Sequence, residues 1–124
     1  MNFSNKLIDW YNSNKRDLPW RRTKDPYKIW VSEIILQQTR IEQGKKYYHK
    51  FLKKYPNITS LSNTNNNELL KIWEGLGYYS RALNMLKTAV IVVDKYQGIF
   101  PSAYNELINL PGIGDYTASA ISSI

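Results

Sequence analysis

The 124-residue sequence contains no cysteine. These residues by themselves therefore cannot build a disulfide, a thiolate-bound zinc site or a cysteine-held iron–sulfur cluster. Histidine occurs once, as His49, in a stretch rich in Lys and Tyr. It cannot form a metal site alone and is expected at the surface. No apolar run approaches the ~20 residues that a membrane-spanning helix needs. Residues 1–10 are polar and amphipathic and lack the apolar centre of a secretory signal. These absences lead us to expect a soluble, intracellular (cytoplasmic) chain with no membrane partner. Period-2 strand alternation and internal repeats are missing as well, so the expectation is a single all-α unit.

Acidic residues are in deficit. Seventeen Lys and Arg stand against ten Asp and Glu, leaving a formal charge of +7 and a pI near 9.6. That balance favours a polyanionic partner, nucleic acid or an acidic membrane surface, although solubility alone would also account for it. Ten Tyr and four Trp suit stacking on bases as well as core packing.

The most informative stretch is Leu-Pro-Gly-Ile-Gly-Asp-Tyr-Thr-Ala at residues 110–118. Pro111 and two glycines predict a tight turn from which an apolar helix starts. Glycine tolerates the positive φ that such a turn needs, and it lets another backbone come close. Amides of Gly112, Gly114 and the first helical turn would form a nest for a phosphate, the geometry of a helix-hairpin-helix turn on a DNA backbone. An ordinary αα-hairpin is the plainer alternative.

Along the chain, a helix is predicted near residues 3–11, with Ser4 as a cap. An extended Leu18-Pro19-Trp20-Arg21-Arg22 segment follows it. Asp25-Pro26 opens a helix expected to run from 27 to 43, with Trp30, Ile34 and Ile41 on one face. Gly44 is expected to interrupt, followed by a basic helix to about Tyr55. Pro56-Asn57 breaks the chain before a short helix at 60–62. A polar linker at 63–67 caps a helix at 68–74. Gly75-Leu76-Gly77 turns into a long helix at 79–96 with apolar positions Leu83, Leu86, Val90 and Val93, stopped by Gly98. Pro101-Ser102 leads into a helix through Leu110, and the last helix starts near Asp115. Residues 117–124 read as mid-helix without a C-cap, so a truncated end is expected.

Five segments occur in order. They are Leu18-Pro19-Trp20-Arg21, Trp30 to Thr39 (WVSEIILQQT), Trp73 to Ala82 (WEGLGYYSRA), Gly98-Ile99-Phe100-Pro101 and the turn at 110–118. Together they resemble the N-terminal catalytic region of adenine DNA glycosylases of the MutY type, in the helix-hairpin-helix glycosylase superfamily. The resemblance covers the chain from about Leu7 to its end. It implies an N-terminal helix and LPWR segment at 1–26. The region 27–124 would be most of a six-helix barrel, ending in the helix-hairpin-helix motif at about 105–124. The implied partner is double-stranded DNA carrying an 8-oxoguanine:A or G:A mispair, bound by a monomer that would be nucleoid-associated if bacterial.

The resemblance also distributes roles. Glu33 stands in an apolar setting; if buried, desolvation would raise its pKa and keep it protonated, as a general acid requires. Otherwise it is a surface Glu on a helix edge. The family role is protonation of the adenine ring. Gln37, Gln38 and Thr39 follow one turn on, and amide side chains read base edges or fill the space of a flipped base. By resemblance Gln38 and Thr39 lie at the mispair, Tyr78 is a wedge beside the oxidised guanine, and Trp20, Arg16 and Arg21 line or brace the adenine pocket. Tyr79 is expected in the core, and Arg81 either on phosphate or in solvent. The Lys45, Lys46, Lys50, Lys53 and Lys54 face is expected to be solvated.

Tyr116 occupies the position where bifunctional relatives such as endonuclease III carry a Lys nucleophile; without an amine no Schiff base forms. Tyr116 would instead orient the catalytic carboxylates. Tyr here also fits thymine-mismatch glycosylases, the enzymatic alternative. The family's second carboxylate lies in an Asp-Gly-Asn segment, which this sequence lacks, so by itself the chain is expected to be catalytically incomplete. A non-catalytic DNA-binding remnant is the other alternative. Full-length family members are expected to carry a [4Fe-4S] cluster on four cysteines and a C-terminal domain that recognises 8-oxoguanine; the chain supplies neither, and no metal ligands are assigned in it.

Overall fold

The structure is a computed structural model and describes residues 24–37 and 39–123. The predicted helix at 3–11 and the LPWR segment lie outside these residues. The described residues form seven helices and no strand.

Helix α1 (Pro26–Leu36) begins as its sequence directs. The Asp25 carboxylate accepts from the Tyr27 amide at 3.0 Å, and Pro26, which has no N–H to satisfy, takes the first helical position. Tyr27, Trp30, Val31, Ser32, Glu33, Ile34 and Ile35 are all buried, so α1 is covered on every side. It ends at Leu36, not at residue 43. Arg40 is extended (ψ 161°) and caps a separate helix, α2 (Ile41–Lys54). The single helix expected over 27–43 is thus two, and Ile41 opens the second. The break falls where the apolar pattern stops, at Gln37 and the residues after it.

Gly44 does not interrupt. It is buried one turn into α2, and its amide donates to the Arg40 carbonyl at 2.7 Å. A Cβ there would meet Thr39 Cγ2 at 3.6 Å and side-chain atoms of Ile35 and Leu36 at 3.8 Å. The helix simply passes close to the end of α1 at that point.

Helix α3 (Ile58–Ser62) carries a reciprocal capping box between Asn57 and Ser60. Helix α4 (Asn66–Trp73) is capped by Asn65, whose side chain accepts from the Glu68 amide at 2.9 Å. The long helix α5 (Tyr79–Tyr96) packs against both α3 and α4. Its buried face is Ala82, Met85, Thr88, Ala89 and Val92. The stripe expected at Leu83, Leu86, Val90 and Val93 lies one residue round the helix, and Val90 is 39% exposed. Both stripes obey helical spacing, and the buried one carries Ala82 and Ala89.

Helix α6 (Tyr104–Leu107) is a single turn and does not reach Leu110. Helix α7 (Asp115–Ser122) follows the glycine turn and packs on α1 and α6. The core is aromatic at both ends. Trp30 meets Phe100 edge-on at 5.3 Å, and Phe51 meets Trp73 at 6.2 Å.

Candidate active site and nucleic-acid interface

A cavity of about 340 Å³ opens between α1, the start of α5 and the α6–α7 turn. Trp30, Ile34 and Gln37 line it from one side, Arg81 and Asn84 from α5, and Gly112 from the turn. Three segments that are far apart in sequence therefore meet at one opening.

Gln37 caps the end of α1, its amide donating to the Glu33 carbonyl at 3.3 Å. One turn earlier on the same helix, Glu33 is 1% exposed. Its side chain is buried, in agreement with the first of the two sequence readings, although it does not line the cavity. Burial of a carboxyl group favours its neutral form. Trp30 lines the cavity, and its buried indole N–H has no hydrogen-bond partner among the described residues. Thr39 is half-buried, its hydroxyl 2.9 Å from the Gln43 side-chain oxygen.

The loop before α5 is braced from two sides. The Trp73 indole N–H donates to the Gly77 carbonyl at 2.9 Å, and the Tyr47 hydroxyl donates to the Glu74 carbonyl at 2.8 Å. Gly75 has φ +93°, and a Cβ on it would collide with the Tyr47 hydroxyl. On this base stands Tyr78, 71% exposed and itself left-handed at φ 47°, ψ 57°. A non-glycine residue held there is strained, a condition that clusters at functional positions. The Arg81 guanidinium lies 5.5 Å from the Tyr78 ring centre and Nη1 donates to Gln37 Oε1. Tyr79, expected in the core, is 47% exposed. It opens α5 beside the left-handed Tyr78, and Ser80 next to it is exposed as well.

In the hairpin turn the two glycines do different work. Gly112 has φ +77°, and a Cβ there would stand 3.1 Å from the Cβ of Asn84. Gly114 is extended (φ −90°, ψ −178°) and caps α7. The positive φ expected of this turn belongs to Gly112 alone. A Cβ on Gly114 would meet nothing within 4 Å, and no side-chain hydrogen bond caps α7. The turn is tied to α5 by the Thr88 hydroxyl, 2.6 Å from the Pro111 carbonyl, and plugged by buried Ile113. Asp115 opens α7, where the helix dipole favours its charge. It accepts a hydrogen bond from the Tyr104 hydroxyl, which raises the Tyr104 pKa. Tyr116, in the first turn of α7, is half-buried.

His49 and Lys46, Lys50, Lys53 and Lys54 are exposed, and Lys45 is half-buried. One described ion pair uses this face, Lys54 to Glu68 at 3.7 Å. Gln38, Trp20, Arg16 and Arg21 lie outside the described residues. Sequence reasoning missed Asn84 and Tyr47, which carry no motif, and the contact between Arg81 and Gln37, which joins residues 44 apart. The residues present do not fit an iron–sulfur cluster. The sequence has no cysteine, and the described residues bring no three His, Asp or Glu together in a metal-binding group. Among them no helix is long and apolar enough to cross a membrane.

Residues 31–119 match the family described as HhH-GPD superfamily base excision DNA repair protein. An adenine DNA glycosylase of Buchnera aphidicola subsp. Baizongia pistaciae (strain Bp) is 49% identical over 122 residues, covering 98% of this chain and 35% of the relative. A human (Homo sapiens) adenine DNA glycosylase is 40% identical over 131 residues, covering 98% and 24%. Among solved structures, a thermostable thymine-DNA glycosylase superposes with TM-score 0.81 at 34% identity, over 97% of this chain and 56% of that one. An endonuclease III trapped as a covalent intermediate with DNA superposes with TM-score 0.75 at 21% identity, over 100% and 61%, and this likeness concerns the fold alone. The chain spans about a third of the length of the Buchnera relative and about a quarter of the human one.

Proposed function

The chain belongs to the HhH-GPD superfamily of base excision DNA repair proteins, and from that membership we propose that it acts in excision of adenine mispaired with 8-oxoguanine or guanine. The observation that carries this reading is the burial of Glu33 on the helix whose next turn, at Gln37, lines the cavity. Burial disfavours the charged form of a carboxyl group, and the neutral form is the one a general acid needs. The target adenine leaves the stack, and Glu33 protonates its ring. The glycosidic bond then breaks with its electron pair going to the base, and water adds to the sugar carbon. Tyr78, exposed on a braced loop, enters the stack beside the mispair and repays part of the unstacking cost. Gln38 and Thr39 meet the opposite base and its neighbours; Trp20, Arg16 and Arg21 form the adenine pocket. Gly112 and Gly114 hold the turn whose amides grip a phosphate, and Tyr116 orients the carboxylates. The partner is double-stranded DNA, and the basic charge speeds the encounter.

The sequence contains no Asp-Gly-Asn, so these 124 residues supply the acid and not the second carboxylate of the pair. Alone they should bind a mispaired duplex without releasing adenine. Fused to the C-terminal remainder of the Buchnera relative, they should release adenine in a single turnover, and Glu33→Gln should abolish that release. Release by the chain alone at the rate of the fusion would refute the incomplete pair. Stronger action on G:T than on G:A duplexes would favour the thymine reading, which the 0.81 TM-score to a thymine-DNA glycosylase supports. Absence of any preference for a mispair would leave a nonspecific DNA-binding remnant. In full-length members we expect a [4Fe-4S] cluster, held by residues this sequence does not contain.

A further inference from the structure

Arg81 donates to Gln37 and holds its guanidinium over the Tyr78 ring at once. The proposed chemistry gives it no part. A guanidinium has five N–H donors and no acceptor. Which end of a Gln amide is oxygen is ordinarily ambiguous, but a neighbour that only donates settles it. The oxygen of Gln37 must face Arg81, and the NH2 group is the end left over.

We propose that Arg81 is a positioning residue that fixes Gln37 as a hydrogen-bond donor at the mispair. It would make Gln37 select a base edge carrying an acceptor, a carbonyl oxygen or an unprotonated ring nitrogen. The same guanidinium ties this orientation to the Tyr78 wedge. Gln37 lines the cavity together with Arg81, and it ends α1 with a backbone anchored to Glu33. Its one loose element is the rotation of its amide, and Arg81 removes that freedom. A residue that merely screened phosphate charge would need neither contact. The inference rests on the adenine-mispair reading.

The test uses the isotope-labelled 124-residue chain and two duplexes of one sequence, one fully paired and one with a G:A mispair. In the free chain, hindered Arg81 Nη–H resonances are expected by NMR. They should persist in Gln37→Glu, which keeps an oxygen for Arg81, and shift and broaden in Gln37→Met, which removes it. Affinities by fluorescence anisotropy should then show Gln37→Glu, Gln37→Met and Arg81→Met each lowering the mispaired-to-paired affinity ratio about tenfold, as expected for one base-edge contact. The double variant Gln37→Met, Arg81→Met should lower it no further, because the pair acts as a unit. Thermal melts check that each variant folds, and Arg81→Lys replaces Arg81→Met if the latter does not.

Missing Nη–H resonances, a wild-type ratio in Gln37→Glu, or additive losses would overturn the proposal while leaving the glycosylase reading intact. An equal loss on both duplexes, with the salt slope reduced by about one, would mean that Arg81 touches phosphate and would overturn it too. A wild-type chain that keeps the Arg81 resonances but has no mispair preference would overturn the adenine reading and this inference with it.

Discussion

Replacing Tyr78 by glycine should separate what the residue does for DNA from what it does for the fold. Tyr78 sits at φ 47°, a left-handed position that costs a residue with a Cβ about 1–2 kcal/mol. Glycine removes that cost. Against it stand three losses. The side chain is 71% exposed, so its remaining contact, roughly 50 Å² of apolar area, is worth about 1 kcal/mol. The Arg81 guanidinium over its ring adds about 0.5–1 kcal/mol at an exposed site. Glycine also widens the unfolded ensemble by about 0.4–1 kcal/mol. The net change should be a destabilisation of about 0–2 kcal/mol, a few degrees in melting temperature for a chain of this size. Binding is another matter. Loss of an aromatic that stacks on a base costs about 1–3 kcal/mol, roughly 5- to 150-fold in affinity. Tyr78→Ala sharpens the comparison. It loses the ring yet keeps the strain, so it should be less stable than Tyr78→Gly by about 1 kcal/mol while binding equally weakly. Tyr78→Phe should leave both properties nearly unchanged. Circular-dichroism melts and anisotropy titrations read the two quantities. The reasoning is refuted if Tyr78→Ala is as stable as Tyr78→Gly, or if the glycine variant binds a mispaired duplex as tightly as the wild type.

The two turn glycines should respond in opposite ways. Gly112→Ala forces a Cβ into a positive φ against Asn84 and should destabilise by about 1–3 kcal/mol. Gly114→Ala meets open space and should melt like the wild type, yet it should bind DNA more weakly because the methyl crowds the approach to the amides. Thr88→Val removes the hydroxyl held by the Pro111 carbonyl and should cost about 1–3 kcal/mol in a urea titration. Alkaline stability should depend chiefly on two buried phenols, since the exposed hydrogen bond of Tyr104 to Asp115 is screened by solvent. Burial, with a smaller contribution from Asp25, pushes Tyr48 up to about 12 and Tyr27 higher still. Unfolded Tyr ionises near pH 10, so stability should be flat below that. Above it, stability should fall by about 1.4 kcal/mol per pH unit for each phenol. For Tyr48 that loss ends as pH passes its folded value. A pH series of melts on Tyr27→Phe and Tyr48→Phe should show a shallower fall, and an unchanged slope would contradict the assignment.

Local chemistry was legible in the residues themselves. Asp25-Pro26, Asn57, Asn65 and Gly98 mark helix starts and stops because a cap or a left-handed position is satisfied within a few residues of chain. The all-helical pattern, the bounds of α5 and the Gly-rich turn follow from the same short-range forces, and the burial of Glu33 agrees with its apolar neighbours in the chain. Where two answers satisfied the same period, the sequence had no means of choosing. Leu83, Leu86 and Val90 repeat as well as Ala82, Met85 and Ala89. The packing of α5 against α3 and α4 decided that the second set goes inside. The break after Leu36, the outward Tyr79 and the division of labour between Gly112 and Gly114 likewise depend on neighbours distant in sequence. So does the meeting of Arg81 with Gln37, across 44 residues. A side chain's partner there is set by how whole helices pack, and that packing is a property of all the contacts together.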